Sequence, residues 1–355
     1  MKTEPPAHVG RDMTNLSRAE LDAVARCMAG ADEAPAGPLE ATLITGGRSN
    51  LTYSLSDGAS LWILRTPPRA GRTPSAHDVA REFRVTSGLR GSGVPVARPV
   101  VLCEDESVLG GAFTVVEYVD GRSIQSRDDL AGLDDSQLAR AMASLTETLA
   151  ALHRVDHVAA GLERFGRPDA YAQRQLYRWR GQWDLVAPED EEIRASAAEL
   201  ERRLTAAVPE QRFTGIVHGD FRIDNTILRH GHLPEVAAVV DWELSTIGDP
   251  VADVAMMCAY RDEALDLILG APSAWTSDRL PDAPSLAAAY EAAGGVALDH
   301  WDFHLALAYY KIGTIAAGIE HRRRAGVGTG PGFATAGRAV PRLMAAGLAV
   351  GSLRT

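Results

Sequence analysis

Lysine is nearly missing from this 355-residue chain: Lys2 and Lys311 are the only two, and arginine carries almost all of the positive charge. A cationic task anywhere between those positions falls to arginine, a planar forked donor that does not replace a compact ammonium one for one. Cysteine is scarce as well. Cys27, Cys103 and Cys258 are far apart and odd in number, which argues against a disulfide framework or a zinc site and for a reducing compartment. There is no excess of positive charge. With a formal net charge of −11, the chain lacks the basic footprint of a nucleic-acid binder. No apolar run approaches the length of a membrane span. The opening "MKTEPPAHVGRDM" has no apolar signal-peptide core. A cytoplasmic chain with neither a nucleic-acid nor a membrane partner is expected.

What is present is ordinary for a globular protein, 46% hydrophobic and 23% charged residues. The length exceeds one compact domain and predicts two lobes. Residues 16–29 carry Leu21, Val24, Ala25 and Met28 at helical spacing behind a Ser17/Glu20 capping box. Strand-like runs follow, "LEATLIT", "LTYSLS" and "LWILRT", divided by turn signals, then a helical "DVAREFRVTSGLR" and two more strands near "RPVVLCED" and "AFTVVEYV". Beyond "DGRSI" the pattern turns helical. Leu138, Met142, Leu145, Leu149 and Leu152 share one helix face, and "HWDFHLALAYYKIGTIAAGIEHRRR" reads as a long amphipathic helix. The fold class is therefore α+β, with a strand-rich lobe over residues 1–119 and a larger, mainly helical lobe over 120–355.

The chemistry concentrates in "IVHGDFRIDNTIL", residues 216–228. Asp220 and Asn225 stand five residues apart, and Asp241 follows in "VVDWE". A kinase catalytic loop places a base Asp and a metal-binding Asn at this spacing, with a second metal-binding Asp on a later strand. Magnesium requires such hard oxygen ligands. Arg222, two residues past the base, is a candidate contact for the γ-phosphate. Two other readings compete: an acidic surface turn, and a His-x-Asp iron site in which His218 is joined by His300 or His304. The iron site leaves Asn225 and Asp241 without a role.

"VHGDFRIDN" with "VVDWELSTIGDPVADVA" resembles the aminoglycoside-phosphotransferase-like family of small-molecule kinases. More narrowly it resembles the branch that includes kinase domains fused to certain acyl-CoA dehydrogenases. "TGGRSNLTY", "WILRTPP", "PSAHDVAREFRV", "FTVVEYVDGR", "RQLYRW" and "AAGIEHRRRAGV" carry the likeness in order over most of the chain. The resemblance implies a bilobal protein-kinase-like fold with ATP and Mg²⁺ as cofactors. It implies that Arg65, where kinases have lysine, contacts the α/β-phosphates with Glu82 as its helix-borne partner. It further implies that Gly46, Gly47, Ser49 and Asn50 approach phosphate, although "TGGRSN" departs from the kinase glycine loop. The Glu117 carbonyl and the Val119 amide would read adenine, and Asp253 would brace the loop.

The expected activity is transfer of the γ-phosphate to a hydroxyl of a small-molecule acceptor, with Asp220 as base and Asn225 and Asp241 as metal ligands. A hydroxyacyl-CoA acceptor follows the branch. An aminoglycoside or other antibiotic is the alternative, and a nucleotide-binding pseudokinase is a reading of another class. Asp224 reads as a solvated or turn-bonding residue rather than a catalytic one. Tyr171, Trp179 and Trp183 read as core or as an acceptor wall. The "HRRR" at 321–324 reads as a solvated helix end or a contact for an anionic acceptor.

Overall fold

The computed structural model describes residues 15–44, 50–67, 78–232 and 234–351. The chain divides into two compact units, one comprising Met1–Ser87 with Ala97–Val119, the other Gly88–Val96 with Asp120–Thr355.

The first unit is an antiparallel sheet backed by a helix. Its elements are α1 (Arg18–Gly30), β1 (Glu40–Ile44), β2 (Leu51–Ser56), β3 (Leu61–Thr66), α2 (Val79–Gly88), β4 (Pro99–Cys103), α3 (Glu106–Leu109) and β5 (Phe113–Glu117). The strand order is β1-β2-β3-β5-β4. The Ser17 capping box forms as expected, with the Glu20 amide donating to Ser17 Oγ at 3.3 Å and the Ser17 amide to Glu20 Oε2 at 2.7 Å. This start fixes the helix register, so Leu21, Val24 and Met28 face the sheet. They pack with Tyr53, Leu55, Leu64, Phe113 and Val115 in one core. Each fully buried aliphatic side chain there contributes roughly 1.5–3 kcal/mol. The β2–β3 turn closes because Asp57 Oδ1 accepts from the Ala59 and Ser60 amides at 2.9 and 2.7 Å.

The second unit begins with α4 (Arg127–Ala131), α5 (Asp135–His153), α6 (Tyr171–Val186) and α7 (Glu191–Ala206). Four short strands follow: β6 (Gly215–Val217), β7 (Thr226–Leu228), β8 (Val236–Val239) and β9 (Thr246–Gly248). Then come α8 (Pro250–Ala259), α9 (Ala264–Leu269), α10 (Ala283–Ala292), α11 (Trp301–Arg324), α12 (Pro331–Thr335) and α13 (Val340–Ala349). Helix α11 is the hub, packed by α6, α7, α8 and α13. A Cβ on Gly313 would lie 2.7 Å from Met344 Cε, so glycine there sets how closely α13 approaches. No helix among the described residues is long and apolar enough to cross a membrane.

Candidate active site

The four short strands exist to hold two loops. β6 pairs with β9 and β7 with β8, both antiparallel. The loop of residues 218–225 leaves β6 and enters β7; the loop of residues 240–245 leaves β8 and enters β9. Pairing the outer and inner strands separately brings the loops side by side. The Val240 amide donates to the Asn225 carbonyl at 2.9 Å.

Asp253 anchors the first loop from α8. That helix starts at Asp249-Pro250, with Asp249 as cap and Pro250 in the first turn, and the Val251 amide donates to Asp249 Oδ1 at 3.0 Å. One turn on, the fully buried Asp253 accepts from the His218 amide at 2.6 Å and the Gly219 amide at 2.8 Å. Burial alone would raise its carboxyl, but the His153 ring at 3.3 Å and these amides hold it below the usual carboxylate range. His153 in turn meets Tyr290 Oη at 2.8 Å. Gly219 has φ +89°, and a Cβ there would stand 2.9 Å from the Leu244 carbonyl oxygen, which explains why no side chain follows the histidine.

His218 is spent within the protein. Its Nε2 meets the Val240 carbonyl at 3.0 Å and its Nδ1 accepts from the Asp220 amide at 3.3 Å. The ring also lies against Trp242. With both nitrogens committed, the iron reading loses its first ligand.

Asp220 has two different oxygens. Oδ2 accepts from Asn225 Nδ2 at 2.9 Å and from Arg222 at 3.1 Å. Oδ1 is buried and has no hydrogen-bond partner among the described residues. Arg222 is buried, bridges Asp220 to Asp224 at 3.2 Å, and stacks 4.8 Å from the Tyr260 ring centroid. Burial would depress the guanidinium, but the two carboxylates raise it above the ordinary arginine range. Asp224 is thus not a solvated turn residue. Its side chain is 14% exposed, and burial pushes its carboxyl up despite Arg222. Asp241 opens the second loop at φ +65°, a region costly for a side chain and concentrated at functional sites.

Asn225 donates Nδ2 to Asp220 twice, which leaves its amide oxygen as the acceptor end. Together with the Asp241 carboxylate this is an oxygen-only donor set, which fits a hard divalent cation such as magnesium and not a soft one.

In the first unit Arg65, on β3, meets Glu82, on α2, at 2.5 Å, with side-chain exposures of 22% and 9%; this is no surface ion pair. Glu117 ends β5, and its carboxylate accepts from Arg98 Nε at 3.1 Å. Val119 follows two residues later at the unit's edge. Asn50 is buried. Gly46, Gly47 and Ser49 lie outside the described residues.

The aromatic trio of α6 separates. Trp183 is buried against Tyr310 with ring centroids 6.3 Å apart, whereas Trp179 and Tyr171 wall a cavity beneath Gly219. The same cavity holds Lys311, a residue that the motifs did not single out. Its isolation in an arginine-rich chain was the available signal. In the "HRRR" segment, Arg323 and Arg324 bond Glu320 at 2.7 and 2.8 Å.

An Asp-x₄-Asn loop and a following Asp, set in a helical unit and joined in sequence to an antiparallel sheet unit, define a protein-kinase-like phosphotransferase. The chain belongs to the phosphotransferase enzyme family, whose pattern matches residues 40–307. It is 34% identical over 91% of its length to acyl-CoA dehydrogenase family member 11 of Gallus gallus, and 35% identical over 82% to family member 10 of Mus musculus. The chain spans only 42% and 27% of those relatives' lengths. A candidate aminoglycoside phosphotransferase from Ralstonia eutropha is 32% identical, with a TM-score of 0.78 over 92% of this chain and 96% of that one. An aminoglycoside phosphotransferase crystallised with AMP-PNP and hygromycin B, 17% identical, shares the fold with a TM-score of 0.60 over 93% of this chain and 99% of its own. The bilobal α+β class expected from the sequence is the observed one, and the chain is a small-molecule kinase by family.

Proposed function

We propose that the chain transfers the γ-phosphate of ATP to a hydroxyl of a small molecule, with a hydroxyacyl-CoA as acceptor. The observation that carries this reading is the asymmetry of Asp220. One oxygen is fixed by Asn225 and Arg222, and the other is buried without a partner. A carboxylate oriented by one oxygen and uncommitted at the other suits a general base that takes a proton from an acceptor hydroxyl.

Arg222 orients Asp220 and offsets charge at the loop. Arg65, steadied by Glu82, binds nucleotide phosphates. The Glu117 carbonyl and the Val119 amide read the base. Asn225 and Asp241 would hold magnesium, which when bound offsets negative charge on the phosphates. Most of the rate gain then comes from positioning and electrostatics. The acyl-CoA chemistry in the names of the relatives supports the acceptor class. The likeness to the Ralstonia protein favours an aminoglycoside as the second reading.

The test measures Mg·ATP consumption against 4-hydroxyacyl-CoAs of several chain lengths on one side, and aminoglycosides and small cationic alcohols on the other. Asp220→Asn should lose roughly 10²–10⁴ in rate on the true acceptor while nucleotide binding survives. Turnover by that variant at the wild-type rate would overturn the assignment.

A further inference from the structure

Lys311 lies on α11 with its ammonium 3.5 Å from the Gly219 carbonyl oxygen and 5.7 Å from the centroid of the Trp179 ring. Gly219 immediately precedes Asp220. The surrounding cavity, about 20 Å³, is walled by Tyr171, Gln175 and Trp179 of α6, Asp253 and Met256 of α8, and Leu307 of α11, with the Asp253 carboxylate turned to the His218 and Gly219 amides. That volume admits about one water-sized group.

The ammonium is poorly compensated. Among the described residues no carboxylate lies within ion-pair reach of it, and its one hydrogen-bond partner is a neutral carbonyl at the limit of the range. Arg222, a buried cation of the same region, is held by two carboxylates, whereas Lys311 is only partly buried. An ammonium has three donors, and at most one is used here. Burial lowers the Lys311 ammonium, opposed by the more distant charges of Asp220 and Asp253. A partly desolvated cation of this kind is stabilised by an incoming anionic or strongly polarised oxygen and repels a second cation. Gln175, whose Oε1 accepts from Trp179 Nε1 at 3.2 Å, makes no hydrogen bond to it.

We propose that Lys311 is an acceptor-recognising residue. Its ammonium takes a negatively polarised oxygen of the hydroxyl-bearing acceptor, a carboxylate or a thioester carbonyl, and its charge disfavours cationic acceptors such as aminoglycosides. The inference rests on the reading of Asp220 as the base, because that places the acceptor one residue from Gly219. Phosphoryl transfer itself is unchanged: Lys311 neither gives nor takes a proton.

The experiment measures calorimetric binding of four probes in the presence of Mg·AMP-PNP: 4-hydroxyvalerate, its CoA thioester, ethanolamine and kanamycin. The proteins are wild type, Lys311→Met and Lys311→Arg, with kcat and KM measured for any probe that turns over with ATP. The thioester should bind wild type about ten- to a hundredfold more tightly than Lys311→Met, the range of one hydrogen bond to a charged group. Lys311→Arg should recover part of the loss, KM for ATP should hold, and the two amines should bind wild type worse than the thioester. Binding of the free acid as well would identify the shared oxygen as the determinant; binding of the thioester alone would assign it to the carbonyl. Equal binding by wild type and Lys311→Met overturns the proposal, as does the absence of binding by both oxygen-bearing probes. So does a parallel loss of ATP binding, acceptor binding and melting temperature, which would mark a packing role. Asp220-dependent phosphorylation of kanamycin would leave the phosphotransferase reading standing and remove this one. Lys311-dependent binding without Asp220-dependent transfer would do the reverse.

Discussion

Asn225 reaches back five residues and donates the same amide nitrogen to the main-chain carbonyl of Asp220 at 2.7 Å and to its carboxylate at 2.9 Å. One side chain thereby fixes both the backbone and the rotamer of the candidate base. Asn225→Asp would replace that donor by a negative charge at the same distance. Turnover should fall by about 10²-fold or more, the scale of a small misplacement of reacting groups. Steady-state kcat with Mg·ATP checks this, with the circular dichroism spectrum unchanged.

Gly219→Ala should destabilise the fold by about 1–3 kcal/mol, because alanine at a positive φ is strained and its Cβ would meet the Leu244 carbonyl. The drop in urea midpoint measures it. A neutral effect would mean that the loop relaxes freely.

Asp249 gives a pH dependence. Burial raises its carboxyl to about 6, so the folded state holds a proton that the unfolded state has already released. The stability it contributes is present at acid pH and is lost as pH rises through about 6. Asp249→Asn keeps a good helix cap without the titration. Wild type should therefore lose stability relative to that variant between about pH 4 and pH 6, by on the order of 2–3 kcal/mol. Burial also lowers His304, 3.5 Å away, to about 4, so the comparison is made in a His304→Gln background, where that titration is absent from both proteins. Paired urea titrations across this range read the slope.

Cys27 and Cys103, separated by 76 residues in sequence, have their sulfurs 3.5 Å apart. Burial and the neighbouring thiol push Cys27 up to about 11, so the thiolate is scarce and air oxidation should be slow. Diamide treatment should form the bond and add up to about 4 kcal/mol of stability by closing that long loop. Non-reducing mass spectrometry and the urea midpoint report both effects.

Sequence and structure agree where the signal is local. The Ser17 box, the Asp249-Pro250 start and the Gly/Pro-bounded strands each depend on a few neighbouring residues, and together they expose the α+β class. The Asp220–Asn225 spacing is legible for the same reason, since both ends lie in one loop, while the hydrogen bonds that join them emerge only from the structure. What escaped depends on contacts distant in sequence. Lys311 meets Gly219 across 92 residues, and no periodicity announces that contact. Asp224 looked solvated because its burial comes from the surrounding fold, while Arg222 takes up its charge. The near approach of Cys27 to Cys103 likewise arises only when α1 lies on the sheet. The left-handed Asp241 is a third kind of case, a backbone conformation against local preference that the neighbouring strands impose.

The grip of Asp253 on the loop has a kinetic consequence. The carboxylate that holds the His218 and Gly219 amides is itself tied through His153 on α5 to Tyr290 on α10. Releasing either amide requires moving a wholly buried charge and disturbing three helices at once. These two amides should exchange with deuterium only through opening of the whole helical unit, at the rate of its slowest core positions. A loop so tethered does not fray ahead of its scaffold, and heat should end activity and unfold the unit in a single transition.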